Sequence, residues 1–314
     1  MTSVPTSLTR LTVPDLKHLC KSAGVVGLPT RKAEIAAKLT SHLHATAQRG
    51  TVPRIVSIDV GFRNLAWAYL HGSELRAWQR VTLVPAADDA TAEEAATERV
   101  YDPRVFAVSV HELVAKIDAE IHGVGDAAGA TPRPVATGAA ATDGQVQYVI
   151  ERQRMVGVGK ASFSVFMVNM VEGMLWSSLT QPVRLAAVEV PVLTSLPPGA
   201  VSKWFEHGGD KKKHSATNLT KALLASRFIE EVDSPSPLTT DASAQSLKIP
   251  SVLVRQFHLE KKKDDLADAL LQALAVADWT ANSVHLARLH GIMASDAAAA
   301  AAPSTWQQAM AELA

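Results

Sequence analysis

Cysteine is almost missing from this chain. The single one, Cys20, excludes an intramolecular disulfide and any metal site built from clustered thiolates. Its helical spacing from Leu16 and Leu19 predicts a core thiol and not a nucleophile. Net charge is missing too, since 31 Lys and Arg balance 31 Asp and Glu. A neutral sum neither requires nor excludes a nucleic-acid partner, because local patches decide that. No apolar run is long enough to span a bilayer. The first residues, MTSVPTSLTRLTV, are rich in Ser and Thr and have no acid before Asp15, an echo of a transit peptide. They are short of the arginines such a segment carries. What is present is a globular composition, 47% hydrophobic over 314 residues. That length suits one large domain, or one domain and a small appendage.

Residues 8–44 read as a unit. Pro14 sits near a helix start, and LKHLCKSAG stops on Gly24. VVGLPT makes a loop. RKAEIAAKLTSHL then predicts a second amphipathic helix with Ile35, Leu39 and Leu43 inward. Lys17, Lys21, Arg31, Lys32 and Lys38 can line one face and neutralise phosphates. A solvated basic face on a helical hairpin explains the same residues.

From Arg54 the pattern turns to strands: 54–59, 65–70 and 75–84, with a hairpin-like turn at His71-Gly72-Ser73. Further strands are expected at 146–150 and 183–190. Helices are expected at 101–122, 161–179, 201–205, 215–229 and 264–282. Stretches rich in Ala, Gly, Pro or polar residues near 85–98, 123–145 and 233–247 read as loops or insertions. The alanine run at 296–302 says nothing about chemistry. Strands first, then alternating strands and helices, predict a mixed α/β sheet. The domain boundary falls near residue 50, giving 1–50 and 51–314.

Three places set acids at strand ends or on an apolar helix. IVSIDVGFRNLAWAY carries Asp59 in an apolar strand, and an acid there is costly unless something pairs with it. YVIERQR ends a later strand on Glu151. KKKDDLADALLQALA opens a helix with Asp264, Asp265 and Asp268. Asp265 and Asp268 are three apart, Asp264 and Asp268 four apart, so both pairs can share a helix face. Leu266, Ala269, Leu270 and Leu274 mark that face or its neighbour as core. Crowded acids raise one another's pKa. A divalent cation removes the conflict, and oxygen-only ligands point to Mg²⁺ or Mn²⁺. Each acid also has a plainer role. Asp59 can cap a turn, Glu151 can pair with Arg152 or Arg154, and Asp264 and Asp265 can complement the helix dipole. The whole set points to two metals, an activated water and phosphodiester hydrolysis.

SIDVGFRNLAWA at 57–68, VIERQR at 149–154 and KKKDDLADALLQ at 261–272 together resemble the RNase H-like superfamily of nucleases. More narrowly, the chain is similar to the fungal mitochondrial Holliday junction resolvases, relatives of bacterial RuvC. The helix–loop–helix before the core resembles the SAP motif, a small DNA-binding module that fits the same family. The resemblance implies an RNase H-like α/β fold, a mixed central sheet flanked by helices, with a small N-terminal helical SAP-like module. It also implies that Asp59, Glu151, Asp265 and Asp268 are metal-binding carboxylates, with Asp264 the alternative to Asp265. Gly61 and Asn64 fall in the turn after the first catalytic strand, where a missing side chain lets a phosphate approach. Arg152, Gln153 and Arg154 are expected to face DNA. Lys261, Lys262 and Lys263, and a second run at Lys211, Lys212 and Lys213, are placed to hold phosphate; a solvated loop is the alternative for both, and for the second run it explains the residues equally.

The family acts as a homodimer that nicks two opposed strands of a four-way DNA junction, in mitochondria. SFSVFMVNMVEGMLWSSL is the dimer element to expect. Phe163, Phe166, Met167, Met170, Val171, Met174 and Leu175 make it apolar over more than one face, although core packing accounts for part of that. Two rival readings remain. Asp-x-Gly on a first strand also opens actin-like ATPases and sugar kinases, but Phe62 and Arg63 replace their Thr or Ser, and no second copy follows. A non-catalytic nucleic-acid-binding protein with a resolvase-like fold is expected to lack one or more of the carboxylates, and all four positions are filled here.

Overall fold

The structure is a computed structural model of the chain. It describes residues 6–49, 54–61, 63–83, 102–122, 145–152, 163–181, 191–205, 218, 220 and 247–295. The chain divides into two compact units. One comprises Pro53–Gly199 and Asp210–Ala273. The other comprises Met1–Val52, Ala200–Gly209 and Leu274–Ala314.

The first of these units is built on a five-stranded sheet. Its strands are β1 (Arg54–Val60), β2 (Asn64–His71), β3 (Glu74–Thr82), β4 (Val146–Glu151) and β5 (Val192–Leu196). Their order is β3-β2-β1-β4-β5. β1, β2 and β3 run antiparallel as a meander, while β4 lies parallel to β1 and β5 parallel to β4. Gly72, at φ 60°, turns β2 into β3, a conformation that costs glycine little. The mixed α/β sheet expected from the sequence is therefore present. The strand expected at 183–190 lies outside the described residues, and the sheet's last strand is β5 instead.

Side-chain alternation divides the sheet into two faces. On one, Val56, Ile58 and Val60 stand beside Leu65, Trp67 and Tyr69 of β2 and Tyr148 and Ile150 of β4. Two helices cover this face, α4 (Pro103–His122) with Phe106, Val110, Leu113 and Ile117, and α5 (Phe163–Leu179) with Met167, Val171, Leu175 and Leu179. Core packing thus accounts for the 167-171-175-179 stripe of α5. Phe166 lies outside that stripe and is 63% exposed.

The opposite face displays Ser57 and Asp59 of β1, Ala66 and Ala68 of β2, and Trp78 and Arg80 of β3. Helix α7 (Ser251–Leu259) and the start of α8 (Lys263–Ser295) meet it. Trp78 stacks on Phe257, with centroids 4.7 Å apart, and its indole N–H donates to the Leu266 carbonyl at 2.7 Å. The Ser57 hydroxyl donates to Gln272 Oε1 at 2.6 Å, with both residues buried. Two alanines opposite Ser57 and Asp59 keep this part of the face low.

The other unit holds α1 (Thr6–Arg10), α2 (Val13–Ser22), α3 (Lys32–Arg49), the short α6 (Ala200–Phe205) and the part of α8 from Leu274. Thr12 and Asp15 cap α2 reciprocally: Thr12 Oγ1 accepts the Asp15 N–H, and the Asp15 carboxylate accepts from Thr12 N–H and hydroxyl. These bonds hold the Asp15 carboxyl below its ordinary pKa. The core joins Leu8, Leu16, Leu19, Ile35, Leu39 and Leu43 to Leu286. Cys20 is buried there, and burial pushes its thiol up to about 11. Gly24 takes φ 70°, and a Cβ on it would strike the Trp279 side chain at 2.7 Å. The Lys38 amine donates to the Val26 and Gly27 carbonyls at 2.7 and 2.8 Å, so it fixes the loop and is not part of an open basic face. His42, Asn282 and Ser283 add bonds between the hairpin and α8. Among the described residues no helix is long and apolar enough to cross a membrane.

Candidate active site

Asp59 and Glu151 leave adjacent strands at the same level. The parallel register pairs Ser57 with Val149 and Ile58 with Ile150, so the next residue of each strand is an acid. Neighbouring strands lie about 4.8 Å apart. Asp59 and Glu151 share the parity of Ser57 and Val149, which puts them on the face that α8 meets. The ends of parallel strands in an α/β sheet are where ligand sites commonly form. One oxygen of Glu151 accepts the Gly199 N–H at 2.8 Å, and the Arg152 N–H donates to the Leu196 carbonyl just beyond it.

Helix α8 brings the other acids. Gln272, bonded to Ser57, lies one helical turn after Asp268, and Asp265 is almost a turn before it. Asp265, Asp268 and Gln272 therefore form one stripe. Since Gln272 sits against Ser57, the acids of that stripe lie toward Asp59, two residues further along β1.

The electrostatics agree with this placement. The half-buried Asp59 carboxyl is pushed up to about 8, first by burial, then by the charges of Asp268, Asp265 and Glu151. Asp268 is pushed up to about 6, again by burial first, then by Glu151, Asp264 and Asp265. Asp268 keeps an exposed surface, which fits its smaller shift. Asp265 is half-buried and Asp264 exposed; the charge of Asp265 acts on both Asp59 and Asp268, and that of Asp264 acts on Asp268. Four acids on two strands and one helix thus repel one another across a common space.

A divalent cation fits this set by donor type, burial and mutual charge: the donors are all carboxylate oxygens, suited to Mg²⁺ or Mn²⁺. Among the described residues no three His, Cys, Asp or Glu side chains are gathered closely enough to hold an ion as they stand.

Gly61 has a local reason to be glycine. A Cβ there would collide with the Asn64 backbone carbonyl oxygen, so the turn between β1 and β2 closes only without a side chain. The Asn64 side chain accepts from the Thr82 hydroxyl at 3.3 Å. Arg152, Lys261 and Lys262 are exposed near the acids in sequence, and the Lys263 amine donates to the Glu260 carbonyl. Gln153, Arg154, Lys211, Lys212 and Lys213 lie outside the described residues, as does most of the helix expected at 215–229. Lys17, Lys21, Arg31 and Lys32 are exposed on the helical unit, with Arg31 3.7 Å from Glu34.

Several neighbours of the acids carry no sequence signal. Arg80 reaches Glu260 Oε1 at 3.0 Å and Asp265 Oδ2 at 3.4 Å. Ser57, Gln272 and Gly199 are tied in by bonds spanning 215 residues in one case and 48 in the other.

The sheet order and site position can be set beside known proteins. Residues 141–286 match the family described as mitochondrial resolvase Ydc2 / RNA splicing MRS1. None of the curated proteins matches the chain by sequence. Among solved structures, the yeast mitochondrial Holliday junction resolvase Ydc2 matches at TM-score 0.52 and 18% identity, over 90% of this chain and 100% of that one. This likeness shows the fold, which is RNase H-like. Thermus thermophilus RuvC matches at TM-score 0.34 and 15% identity, over 73% of this chain and 95% of its own. The same organism's RuvC in complex with Holliday junction substrate matches at 0.32 and 16%, over 74% and 97%. These two scores are too low to carry an argument.

Proposed function

We propose that this chain is a metal-dependent endonuclease that resolves four-way DNA junctions by paired, symmetric nicks, as a crossover junction endodeoxyribonuclease. The observation that carries the reading is the convergence of Glu151, Asp265 and Asp268 on Asp59 near the ends of two parallel strands, where burial and the neighbouring charges push the Asp59 and Asp268 carboxyls up. The match of residues 141–286 to the resolvase family and the RNase H-like fold support it.

In this reading Asp59, Glu151, Asp265 and Asp268 supply oxygen ligands. The Gly199 N–H holds one edge of Glu151, and Gln272 and Ser57 support the strand beneath Asp59. A pair of Mg²⁺ or Mn²⁺ ions at such a cluster supplies water activation and stabilisation of the leaving 3′ oxygen. Asp265 is assigned as the ligand ahead of Asp264, because it is the less exposed and its charge acts on Asp59. Gly61 and Asn64 shape the turn beside the site. Arg152, Gln153, Arg154, Lys261, Lys262, Lys263 and Lys211–Lys213 would contact phosphates. Lys17, Lys21, Arg31 and Lys32, on the SAP-like helices, would add a second DNA contact. The working form would be a homodimer, with Phe166 on the open side of α5 as part of the contact, and the location mitochondrial.

The second reading is a non-catalytic nucleic-acid-binding protein, since the family's description also names RNA splicing. Cleavage separates the two. A synthetic four-way junction, a linear duplex, a flap and an RNA–DNA hybrid are offered with Mg²⁺ or Mn²⁺. The nuclease reading expects cuts at opposed positions in the junction, lost in Asp59→Asn and Glu151→Gln while junction binding persists. Binding without cleavage by the natural chain selects the second reading. Cleavage retained in both variants removes the carboxylate site.

A further inference from the structure

Among the described residues, Arg80 is a cation ion-paired with a member of the acid cluster, and no motif singles it out. It stands on β3 opposite Ala66, which stands opposite Asp59, so it is two strands from Asp59 on the same face. Its guanidinium is shared. Nη1 donates to Glu260 Oε1 at 3.0 Å, and Nε, which makes no hydrogen bond among the described residues, lies in ion-pair range of Asp265 Oδ2 at 3.4 Å. Glu260 is itself occupied: the same Oε1 accepts the backbone N–H groups of Lys261 and Lys262 at 2.9 and 3.4 Å. Glu260 thereby shapes the turn between α7 and α8 that launches Asp264, Asp265 and Asp268. All three side chains are well covered, at 20% exposure for Arg80, 28% for Glu260 and 35% for Asp265.

This arrangement is more than a clamp for α8. Trp78, two residues earlier on the same face, already seats α8 through its bond to Leu266 and α7 through its stack on Phe257. Arg80 adds a charge, aimed at one oxygen of one member of the acid cluster. A guanidinium can hold two carboxylates at once because its donors form a rigid fork, which a lysine amine does not. Carboxylates that ligate metals are commonly held by such outer partners, and losing the partner costs roughly 10–100-fold in metal affinity or activity.

We propose that Arg80 is a positioning residue for the acid cluster: it fixes Asp265 by Oδ2 and the start of α8 through Glu260, leaving Asp265 Oδ1 for a divalent cation. The proposal rests on the nuclease reading above. Two other roles make opposite forecasts. A guanidinium that merely competes with the cation for Asp265 would, once removed, leave metal binding tighter. A plain structural clamp would leave it unchanged in a folded variant.

The test is a calorimetric titration of Mn²⁺ into the full chain without DNA, with circular dichroism and melting in EDTA as the check on folding. The natural chain should bind. Arg80→Gln should bind roughly 10–100-fold more weakly. Arg80→Lys should recover only part of the loss. In a chain already carrying Asp265→Ala, Arg80→Gln should cost little more, because its effect passes through Asp265. Unchanged or tighter binding in folded Arg80→Gln overturns the proposal and leaves the nuclease reading standing. Should Arg80→Gln not fold, unchanged affinity in Arg80→Lys overturns it instead. No Mn²⁺ binding by the natural chain overturns the metal-dependent reading, and this proposal with it.

Discussion

Adjacent residues of β1 meet two different worlds. Val56, Ile58 and Val60 face α4 and α5, in a cluster with the buried Phe106, Val110, Met167 and Val171. Ser57 and Asp59 face α7 and α8, where the neighbours are a glutamine, an arginine and further acids. The first face gains free energy by leaving water. The second forgoes some of that gain and holds like charges together, which destabilises the charged, metal-free form. Stability and chemistry are thus separated by the two-residue period of a strand.

The separation is sharpest in a paired substitution. Asp59→Asn should abolish metal-dependent junction cleavage, the largest effect expected, and leave the metal-free melting temperature equal or higher at neutral pH. Ile58→Ala should do the reverse in origin, costing about 2–5 kcal/mol in denaturant unfolding and reducing activity only through the unfolded fraction. If Asp59→Asn unfolds the protein as Ile58→Ala does, the division of labour between the faces is wrong.

A pH series probes the same contrast. Asp59 is held up to about 8 and Asp268 up to about 6. In the folded state each keeps a proton that the unfolded chain releases from about pH 4. Stability without metal should therefore fall as pH rises, through about 6 for Asp268 and about 8 for Asp59. Melting in EDTA from about pH 5 to about 8.5 should show that slope, and Asp59→Asn should flatten its upper part. An equal slope in the variant would mean other groups carry it.

Smaller effects concern the two compact units. Exchanging Lys17, Lys21, Arg31 and Lys32 for glutamine should lower junction affinity and its salt dependence, by a slope change of about 0.9 for each phosphate no longer neutralised. The cleavage rate of bound junction should hardly move. Gly24→Ala should weaken the helical unit, since φ 70° and the Trp279 ring both oppose a side chain there. A scan that reads the melting of the 1–52 region would show it, and no change would remove Trp279 as a fixed neighbour.

The sequence by itself carried β1 to β4, the hairpin at Gly72 and the mixed sheet, but not β5, and it singled out the acids Asp59, Glu151, Asp265 and Asp268 as candidates. Alternation and apolar periodicity are local signals, and an acid amid β-branched residues stands out without any structure. It missed α1 and α7, a five-residue helix and a nine-residue one that are too short for a strong periodic pattern. It ended the last helix at 282, where α8 continues to Ser295. It also treated residues 1–50 as separate, whereas their compact unit includes residues 200–209 and the chain from Leu274. Three short helices bury little surface alone, and Leu286 completes their core.

Only the tertiary structure decided how the acids are supported. Gly199 on Glu151, Ser57 on Gln272 and Arg80 between Glu260 and Asp265 join residues 48 to 215 positions apart. No local pattern encodes such pairs. The doubled Asp leaves Asp264 as an alternative to Asp265, and the lesser exposure of Asp265 is what supports it as the proposed ligand. Sequence determines which groups a helix or strand can display; packing alone decides which of them meet.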